Sequence, residues 1–327
     1  MIFRTEIRPK PSDFKISHAQ RGLTIGSCFS DSMGNRLQDA KFPLLRNPLG
    51  VVYNPASVLT ALHILSGKKT FSEVDLFCEQ GIWKSYFLHS SFSSTEKSSV
   101  LENIAEVQHR FRSEFVHLDY CIVTLGTAWV YALAASGEIV SNCHKTPANR
   151  FTRRQLSVAE IFTALTHIRE VLQTINPNIY LIFTISPVRH WADGAHENQV
   201  SKSRLFVALD DFLYAHHNTH YFESYELLID DLRDYRFYEE DLLHPNSQAI
   251  TYIWEQFCAT YFSAETQKIV GDFSALYRAM QHRPFQRKSA EYQSFCEKYI
   301  TLSKSLNAQF PHIDVSAEVS FFEKQCR

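Results

Sequence analysis

Apolar and polar positions alternate in blocks through the first 260 residues of the chain. Short, continuous apolar runs at residues 23–26, 120–125 and 179–185 are typical of strands buried on both faces. Between these runs, apolar residues recur at helical spacing from Ser98 to Phe115 and after a capping-box pattern at Ser157 to Glu160. Strand and helix signals in this alternation predict a parallel sheet wrapped by helices.

Weaker patterns predict the remaining elements of this part of the chain. They favour short strands at residues 1–8 and 220–222, a strand or hairpin over 82–88, and helices over 31–37, 54–65, 197–216 and 245–262. The predicted fold class is therefore α/β: a doubly wound α/β/α sandwich with a parallel sheet of about five strands.

Residues 263–327 have a different pattern. They contain no clear strand signal, and their helical segments are interrupted at Pro284 and Pro311. Aromatic residues are interleaved with charged ones throughout this region. We predict an α/β domain over residues 1–262 and a helical C-terminal appendage over residues 263–327.

The charge balance and the cysteines narrow the class of protein. The chain has 33 Lys and Arg against 35 Asp and Glu, a net charge of −2, so we expect neither nucleic acid nor a membrane surface as partner. No apolar run approaches the roughly 18 residues of a membrane span, and the amino terminus lacks a signal-peptide pattern. Seven scattered cysteines argue against a disulfide framework and favour a cytoplasmic location.

Candidate chemistry first occurs directly after the first buried run. Gly26 ends that run, Ser27 and Cys28 follow, and a helical pattern begins at Asp31. A strand, a tight turn and a helix in this order expose a nucleophile at the carboxyl end of a buried strand. Ser27 is the first candidate, although a Gly-Ser pair is also an ordinary turn or helix cap. Cys28 is a separate possibility, since a helix amino terminus lowers a thiol pKa.

A carboxylate and an imidazole three residues apart supply possible partners for this nucleophile. Asp241 could hold the tautomer of His244 and stabilise its charged form, and Ser27, Asp241 and His244 together are the components of a hydrolytic triad. Taken alone, such an Asp is also a common helix cap. Ser27 is not in a G-x-S-x-G elbow, because Ile25 and Phe29 flank it, and this argues against an ordinary α/β-hydrolase.

Two further segments could stabilise an oxyanion beside Ser27. Gly126 and Thr127 follow a buried strand and could offer backbone amides or a hydroxyl. Gly50, in the segment after Asn47, could offer its N–H to the same oxygen. The alternative for Gly126 is a glycine that merely ends a strand.

The segment Gly26-Ser-Cys-Phe-Ser30 resembles the signature of the GSCFA family, whose fifth residue is usually Ala. The similarity covers roughly residues 1–250 and extends through five further motifs: Asn47-Pro-Leu-Gly50, Gly126-Thr-Ala-Trp129, Asn142-Cys-His-Lys145, Ser186-Pro-Val-Arg-His190 and Asp241-x-x-His244-Pro. The family is similar to the SGNH/GDSL hydrolases, which implies a flavodoxin-like three-layer sandwich. The resemblance implies Ser27 as nucleophile, Asp241 as orienting acid, His244 as base and Gly50 as oxyanion glycine.

One departure from the SGNH pattern concerns the oxyanion. Those hydrolases usually carry G-x-N-D after the third core strand, whereas this chain has Gly126-Thr-Ala-Trp129 with no Asn. Asn142, His144 or Thr127 replaces that side chain, or the backbone acts alone. The loss of one such donor costs about 10² to 10³ in rate.

Loops after core strands supply candidates for substrate binding. Arg189 suits an anionic group, with a salt-bridged structural loop as the equal alternative, and His190 adjoins it. The segment from Asn142 to Lys145, which includes His144, is the candidate for the opposite wall of the substrate site, and His89 is a weaker candidate. The two basic loops favour a polar or acidic acylated carbohydrate or small metabolite as substrate. Cys28, Cys143, His144 and His244 show no C-x-x-C or H-x-x-x-H spacing that would support zinc, and we expect neither a metal nor a cofactor.

The leading functional hypothesis from the sequence is a serine esterase or acyl hydrolase of SGNH type. An acyltransferase with an alcohol or sugar acceptor would use the same residues. A ligand-binding module that kept the cleft and lost the reaction is the non-enzymatic alternative, because the usual oxyanion Asn is missing.

Overall fold

A computed structural model describes residues 4–286, 289–311 and 313–326. These residues contain ten strands: β1 Gly22–Gly26, β2 Leu44–Arg46, β3 Phe77–Glu79, β4 Ile82–Lys84, β5 Tyr120–Leu125, β6 Trp129–Leu133, β7 Ile139–Val140, β8 Phe151–Gln155, β9 Tyr180–Ile185 and β10 Thr219–Tyr221. Their α-helices are α1 Cys28–Asp39, α2 Pro55–Ser66, α3 Lys97–Glu114, α4 Val158–Gln173, α5 Gly194–Ala215, α6 Ser224–Glu226, α7 Ser247–Tyr261, α8 Ala264–Gln281, α9 Ala290–Gln309 and α10 Ser316–Gln325. A π-helical turn, Leu227–Leu232, continues α6, and 3₁₀ turns lie at Glu73–Asp75, Ser90–Phe92, Ala148–Arg150, Trp191–Asp193 and Tyr235–Phe237.

The central sheet has five parallel strands in the order β10, β9, β5, β1, β2. Its register places Gly26 beside Thr124, and Thr124 beside Thr184. The carboxyl ends of β1, β5 and β9 therefore meet at one edge of the sheet, where α/β proteins bind their ligands. The five-stranded parallel sheet predicted from the apolar runs is confirmed.

Helices cover both faces of this sheet. Along β5, Val123 and Leu125 face a core shared with α2, α3, α4 and α5, whereas Tyr120 and Ile122 face a second core shared with α1 and α7. Alternate residues of a strand point to opposite faces, so a strand covered on both sides is apolar at every position. The three-layer α/β/α sandwich is confirmed.

Two small antiparallel sheets lie outside the sandwich. The hairpin of β3 and β4 accounts for the strand signal over residues 82–88. The second sheet pairs β6 with both β7 and β8 and directly follows the end of β5. No sequence pattern predicted the second sheet, because β6 and β8 are mostly only partly buried and β8 mixes charged with apolar residues.

Two local predictions are wrong. Residues 4–8 form no strand, because the Ile7 N–H donates to the buried Asp231 side chain at 3.1 Å rather than to a ladder; residues 1–3 lie outside the described residues. Pro245 is not in the first turn of α7. It forms an isolated bridge with Tyr238, and α7 begins two residues later behind the Asn246 cap.

The C-terminal helices α8, α9 and α10 share a separate hydrophobic core. An ion pair between Lys41 Nζ and Glu318 Oε1, 2.6 Å long, joins α10 to the chain just after α1. No strand occurs in the described residues beyond 262, so the helical appendage is confirmed. The division into two domains at residue 262 stays a prediction.

We predict that Gly26→Ala lowers the free energy of unfolding by about 3 kcal/mol. Gly26 has φ +144°, and a Cβ there would lie 2.2 Å from the Thr124 carbonyl oxygen, so alanine would force the ends of β1 and β5 apart. Gly271→Ala is the matched control: Gly271 lies inside α8 in open space, and alanine should stabilise by roughly 0.5–1 kcal/mol. Equal chemical denaturation midpoints for the two variants would contradict the prediction.

Candidate active site

The turn after β1 determines which side chain faces the cleft. Val52 N–H donates to the Gly26 carbonyl at 2.9 Å, and the Gly26 N–H donates to Asn47 Oδ1 at 2.8 Å. The Asn47 amide in turn donates to Asp31 Oδ1 in α1 at 2.9 Å. Strand end, helix and loop are thereby fixed together, and the chain passes from β1 to α1 through Ser27 alone.

Ser27 and Cys28 point in different directions from this turn. The Ser27 side chain is 1% exposed and packs against Gly126 at the end of β5. Its Oγ has no hydrogen-bond partner among the described residues. Cys28 is the first residue of α1 and is partly exposed, and its Sγ lies 3.6 Å from His244 Nε2.

His244 is held by its own turn. Asp241 Oδ1 accepts hydrogen bonds from the N–H groups of Leu243 and His244, both at 2.9 Å, and Asp241 Oδ2 lies 2.5 Å from His244 Nδ1. These hydrogen bonds lower the pKa of Asp241 to about 2, so the carboxylate stays ionised at neutral pH. An ionised Asp241 keeps the proton on Nδ1 and leaves Nε2 as the acceptor that faces the thiol.

The resting state of Cys28 follows from its surroundings. Burial raises the pKa of the Cys28 thiol; the N–H groups of Phe29 and of Cys28 itself lower it, the Asp31 charge raises it, and the Lys202 charge lowers it. Because burial is the largest of these effects, Cys28 rests as a thiol. Its proton must pass to an acceptor when it attacks, and His244 Nε2 is in place to take it.

The Gly50 and Thr127 groups predicted for the oxyanion are engaged in internal hydrogen bonds. The Gly50 N–H donates to the Asn47 carbonyl at 2.7 Å. Thr127 Oγ1 lies 3.0 Å from Ser201 Oγ and accepts from the Trp129 N–H at 3.1 Å. The oxyanion roles of Gly50 and Thr127 stay predictions, since each group would have to exchange a partner to act.

Asn142 and His144 lie together on one wall near the Gly50 turn. Asn142 Oδ1 accepts from the His144 N–H at 2.9 Å, and His144 Nε2 lies 2.7 Å from the Ser85 carbonyl. Burial lowers the pKa of His144. His89 packs so closely on Gly50 that a Cβ on that glycine would lie 2.1 Å from the His89 Cβ. All three side chains support the loops around the cleft.

Arg189 lies on the other side, beside the Asp241–His244 turn. It lines a cleft of about 290 Å³ together with Leu242 of that turn, Ile229, and a set of polar and aromatic side chains: Arg233, Asp234, Tyr235 and Tyr238. Among the described residues Arg189 forms no ion pair; its guanidinium lies 5.9 Å from the centre of the Trp191 ring. A partly buried, unpaired cation at a cleft favours an anionic ligand.

His190 has a structural environment. Its N–H donates to Asn198 Oδ1 at 2.9 Å, and its Nδ1 lies 3.9 Å from Asp193, which is ion-paired to Arg153. Burial lowers the pKa of His190. Arg153 also lies over the Trp129 ring, at 4.0 Å from its centre. These contacts hold the loop after β9 against the β6–β8 sheet.

Sequence reasoning missed Tyr53 at the site and did not predict that Lys202 is buried. Burial raises the pKa of the Tyr53 phenol, and the charges of Cys28 and Asp31 add to this shift, which places the phenol near the thiol. Lys202, in the middle of α5, is 1% exposed. The sequence shows Lys202 only as one polar residue in a helix, and no pattern there indicates that it is buried.

Comparison with known families identifies the chain. The model of the GSCFA family matches residues 21–257, and the model of the GSCFA domain protein, C-terminal domain, matches residues 273–327. The chain belongs to the GSCFA family. The resemblance inferred from Gly26-Ser-Cys-Phe-Ser30 is thereby confirmed.

Among solved structures, this GSCFA protein is similar to an acetyl xylan esterase from the rumen bacterium Butyrivibrio proteoclasticus. The two are 10% identical, with a TM-score of 0.38; the match covers 73% of this chain and 62%, less than two thirds, of the esterase. No curated protein matches the chain. Within the described residues, no three His, Cys, Asp or Glu side chains form a group able to hold a metal ion. None of the described helices has the length and apolar character needed to cross a membrane.

We predict that the Asp241–His244 hydrogen bond survives acidification from pH 7 to about pH 3. The pKa of Asp241 in the folded protein, about 2, lies below its ordinary 3.8, so the interaction is present above 3.8 and is lost as pH falls through about 2. The His244 Nδ1 proton resonance should persist over this range and disappear in Asp241→Asn. Asp234→Asn is the control, since Asp234 caps a similar turn without a histidine. Loss of the resonance near pH 4 would contradict the lowered pKa.

Proposed function

We propose that this GSCFA protein is an acyl-transfer enzyme that attacks an ester with the Cys28 thiol. One observation carries the proposal: Cys28 Sγ lies 3.6 Å from His244 Nε2, while His244 Nδ1 lies 2.5 Å from Asp241 Oδ2. A nucleophile, a base and a group that orients the base lie in contact in the required order. The α/β/α sandwich places them at the carboxyl edge of the sheet, where such folds bind ligands.

The first half of the reaction acylates the enzyme. Cys28 Sγ forms a bond to the acyl carbon while its proton passes to His244 Nε2, and the carbonyl oxygen becomes an oxyanion. The intermediate then collapses: the bond to the ester oxygen breaks, and the departing alcohol takes the proton from His244. Asp241 stabilises the charged imidazole between these two steps.

The second half releases the acyl group from its thioester. A water molecule, or the hydroxyl of an acceptor, attacks the thioester carbon and gives its proton to His244. Collapse of this intermediate returns the proton to Cys28 and releases an acid or a new ester. Water makes the protein a hydrolase and an acceptor makes it an acyltransferase, so the same three residues serve both reactions.

The oxyanion lies near the start of α1 in this mechanism. The N–H groups at the beginning of a helix lack internal acceptors, and the helix dipole favours negative charge there. In this chain the Cys28 and Phe29 N–H groups point toward the Cys28 sulfur and lower its pKa. The same groups are the best-placed donors for an oxygen bound to a carbon on that sulfur.

Ser27, the nucleophile predicted from the sequence, is the second candidate. Its exposed fraction of 1% and its packing against Gly126 favour the adjacent Cys28 instead, because an attacking oxygen must reach both the substrate and His244. A shift of the turn after Gly26 would be needed to exchange the two side chains. The experiment below decides between them.

The cleft beside the triad supports a substrate that carries a negative charge. Arg189 and Arg233 line it with Asp234, and Tyr235 and Tyr238 offer ring faces and hydroxyls. Arg233 is paired with Asp230 at 3.7 Å, which leaves Arg189 as the cation without a carboxylate among the described residues. We therefore infer an acylated polar small molecule or carbohydrate that carries an acidic group.

We predict that Cys28→Ala abolishes release of p-nitrophenol from p-nitrophenyl acetate, with a loss of at least about 10³-fold in kcat/KM, because no other group accepts the acyl chain. Ser27→Ala should change it by less than about tenfold. In Cys28→Ser a trapped acetyl group should resist neutral hydroxylamine, whereas the wild-type thioester should be cleaved by it. Peptide mass spectrometry of acid-quenched enzyme locates the acetyl group.

Two outcomes would overturn this assignment. Acetyl on residue 27, with activity lost in Ser27→Ala and kept in Cys28→Ala, would make the protein a serine esterase. Neither acetylation nor turnover, with ester binding still measurable by calorimetry, would make it a binding module. Faster release on addition of alcohols or sugars, with new esters formed, would identify the acyltransferase.

We predict that Arg189→Ala removes a preference for acidic esters. The wild type should favour p-nitrophenyl succinate over p-nitrophenyl butyrate by about tenfold in kcat/KM, because a charge-assisted hydrogen bond contributes about 1.5–3 kcal/mol. Arg154→Ala, which breaks an exposed ion pair with Glu160, is the control for net charge. A preference for esters of eight or more carbons, unchanged in Arg189→Ala, would contradict the polar substrate.

A further inference from the structure

Lys202 is a buried cation at the carboxyl edge of the sheet, the edge at which β9 ends beside Ser186 and at which Cys28 begins α1 after β1. Its side chain is 1% exposed, and its ammonium donates one hydrogen bond, 2.6 Å long, to the Ser186 carbonyl at the end of β9. Among the described residues it has no carboxylate partner. An ammonium without a counter-ion is costly to bury, and most proteins avoid the arrangement or replace it with an apolar side chain.

The neighbours of Lys202 on α5 have ordinary structural roles. Asn198 accepts from the His190 N–H, and Ser201 Oγ accepts from the Ala128 N–H at 2.8 Å. Both satisfy backbone groups of loops at the carboxyl edge of the sheet. A glutamine at position 202 could donate to the Ser186 carbonyl equally well, so that hydrogen bond does not explain why a charge is buried here.

The groups that face Lys202 show where its charge acts. Cys28 faces it from the start of α1, His190 faces it from the loop after β9, and the Tyr225 ring centre lies 5.7 Å from its Nζ. Burial lowers the pKa of Lys202 to about 7, and the Cys28 charge raises it, so thiolate and ammonium stabilise each other. Asp31 and Tyr53 face Cys28 from its other sides, and His244 contacts its sulfur.

We propose that Lys202 is a positioning residue whose buried positive charge stabilises the thiolate of Cys28 and the negative charge that develops on its sulfur. It does so without touching substrate, through a dry interior where charges act more strongly than in water. The proposal rests on the role proposed for Cys28 above. It also explains why the chain keeps a buried ammonium at this position, although an uncharged side chain would make the fold more stable.

The test measures the reactivity of the Cys28 thiol, which requires no turnover. Wild type and Lys202→Gln are treated with iodoacetamide from pH 6 to about 11, because the raised pKa of Cys28 puts its titration at high pH, and alkylation of Cys28 is followed by peptide mass spectrometry. Cys78 is exposed and serves as the reference thiol in each sample. We expect Lys202→Gln, which keeps a donor for Ser186, to slow alkylation of Cys28 about tenfold at pH 7. The Cys28 midpoint, which is the pH at which alkylation reaches half its maximal rate, should move up by about one pH unit.

Two controls separate charge from packing. Ser201→Ala removes a buried hydrogen-bonding group one residue away and should leave the Cys28 midpoint unchanged. The melting temperature of Lys202→Met at pH 7 should be at least that of wild type, and the difference between the two melting temperatures should shrink toward pH 10. The pKa of Lys202 in the folded protein, about 7, lies below its ordinary value of 10.5. The buried charge therefore lowers the stability of the fold below pH 10.5, and the full loss applies below pH 7.

Each result decides the proposal. An unchanged Cys28 midpoint in both Lys202 variants overturns it, whether or not the protein hydrolyses esters. An equal shift in Ser201→Ala overturns it as well, because packing would then be the cause. Lower melting temperatures in both Lys202 variants with unchanged Cys28 chemistry would make Lys202 a structural residue. A shifted Cys28 midpoint in a protein without turnover would support Lys202 and count against the enzyme.

Discussion

The site depends on the close approach of Gly26 to the carbonyl oxygen of Thr124. No side chain fits between them, and the backbone at Gly26 takes a conformation that other residues rarely adopt. The chain therefore leaves β1 and enters α1 through a single residue, Ser27. If the turn were one position longer or shorter, a different side chain would be enclosed and a different one would contact His244. The backbone therefore determines that Cys28 rather than Ser27 meets His244.

A second layer of polar groups holds the rest of the edge in place. Asn198 and Ser201 from α5 satisfy the backbone amides of His190 and Ala128, and Asn47 joins the end of β1 to α1. Several polar side chains predicted for the site also form hydrogen bonds within the loops, among them Thr127, Asn142 and His144, and their roles toward a substrate stay predictions. The cleft itself is bounded by few groups that remain free to change partners, and this is the pattern expected of a preorganised site.

Much of the fold could be predicted from the sequence, because strands covered on both faces must be apolar throughout. The runs at 120–125 and 179–185 needed no other information. The pattern of residues 1–8 also favoured a strand, but the Ile7 N–H donates to a side chain, Asp231, and such a partner leaves no trace in local sequence. The site was harder to predict. Asp241 and His244 are close in sequence and form the expected pair, whereas the opposed directions of Ser27 and Cys28 and the burial of Lys202 arise from tertiary packing.

The distance along the chain between Cys28 and His244, 216 residues, has a consequence for synthesis. The ribosome makes the thiol long before its base, and β1 pairs with a strand, β5, that begins almost 100 positions further on. Such non-local pairing slows folding, since loop closure must precede the contacts that reward it. Cys28 therefore stays without its partner His244 until nearly all of the α/β sandwich has been made. If the thiol acts as proposed, only a completed sandwich brings nucleophile and base together.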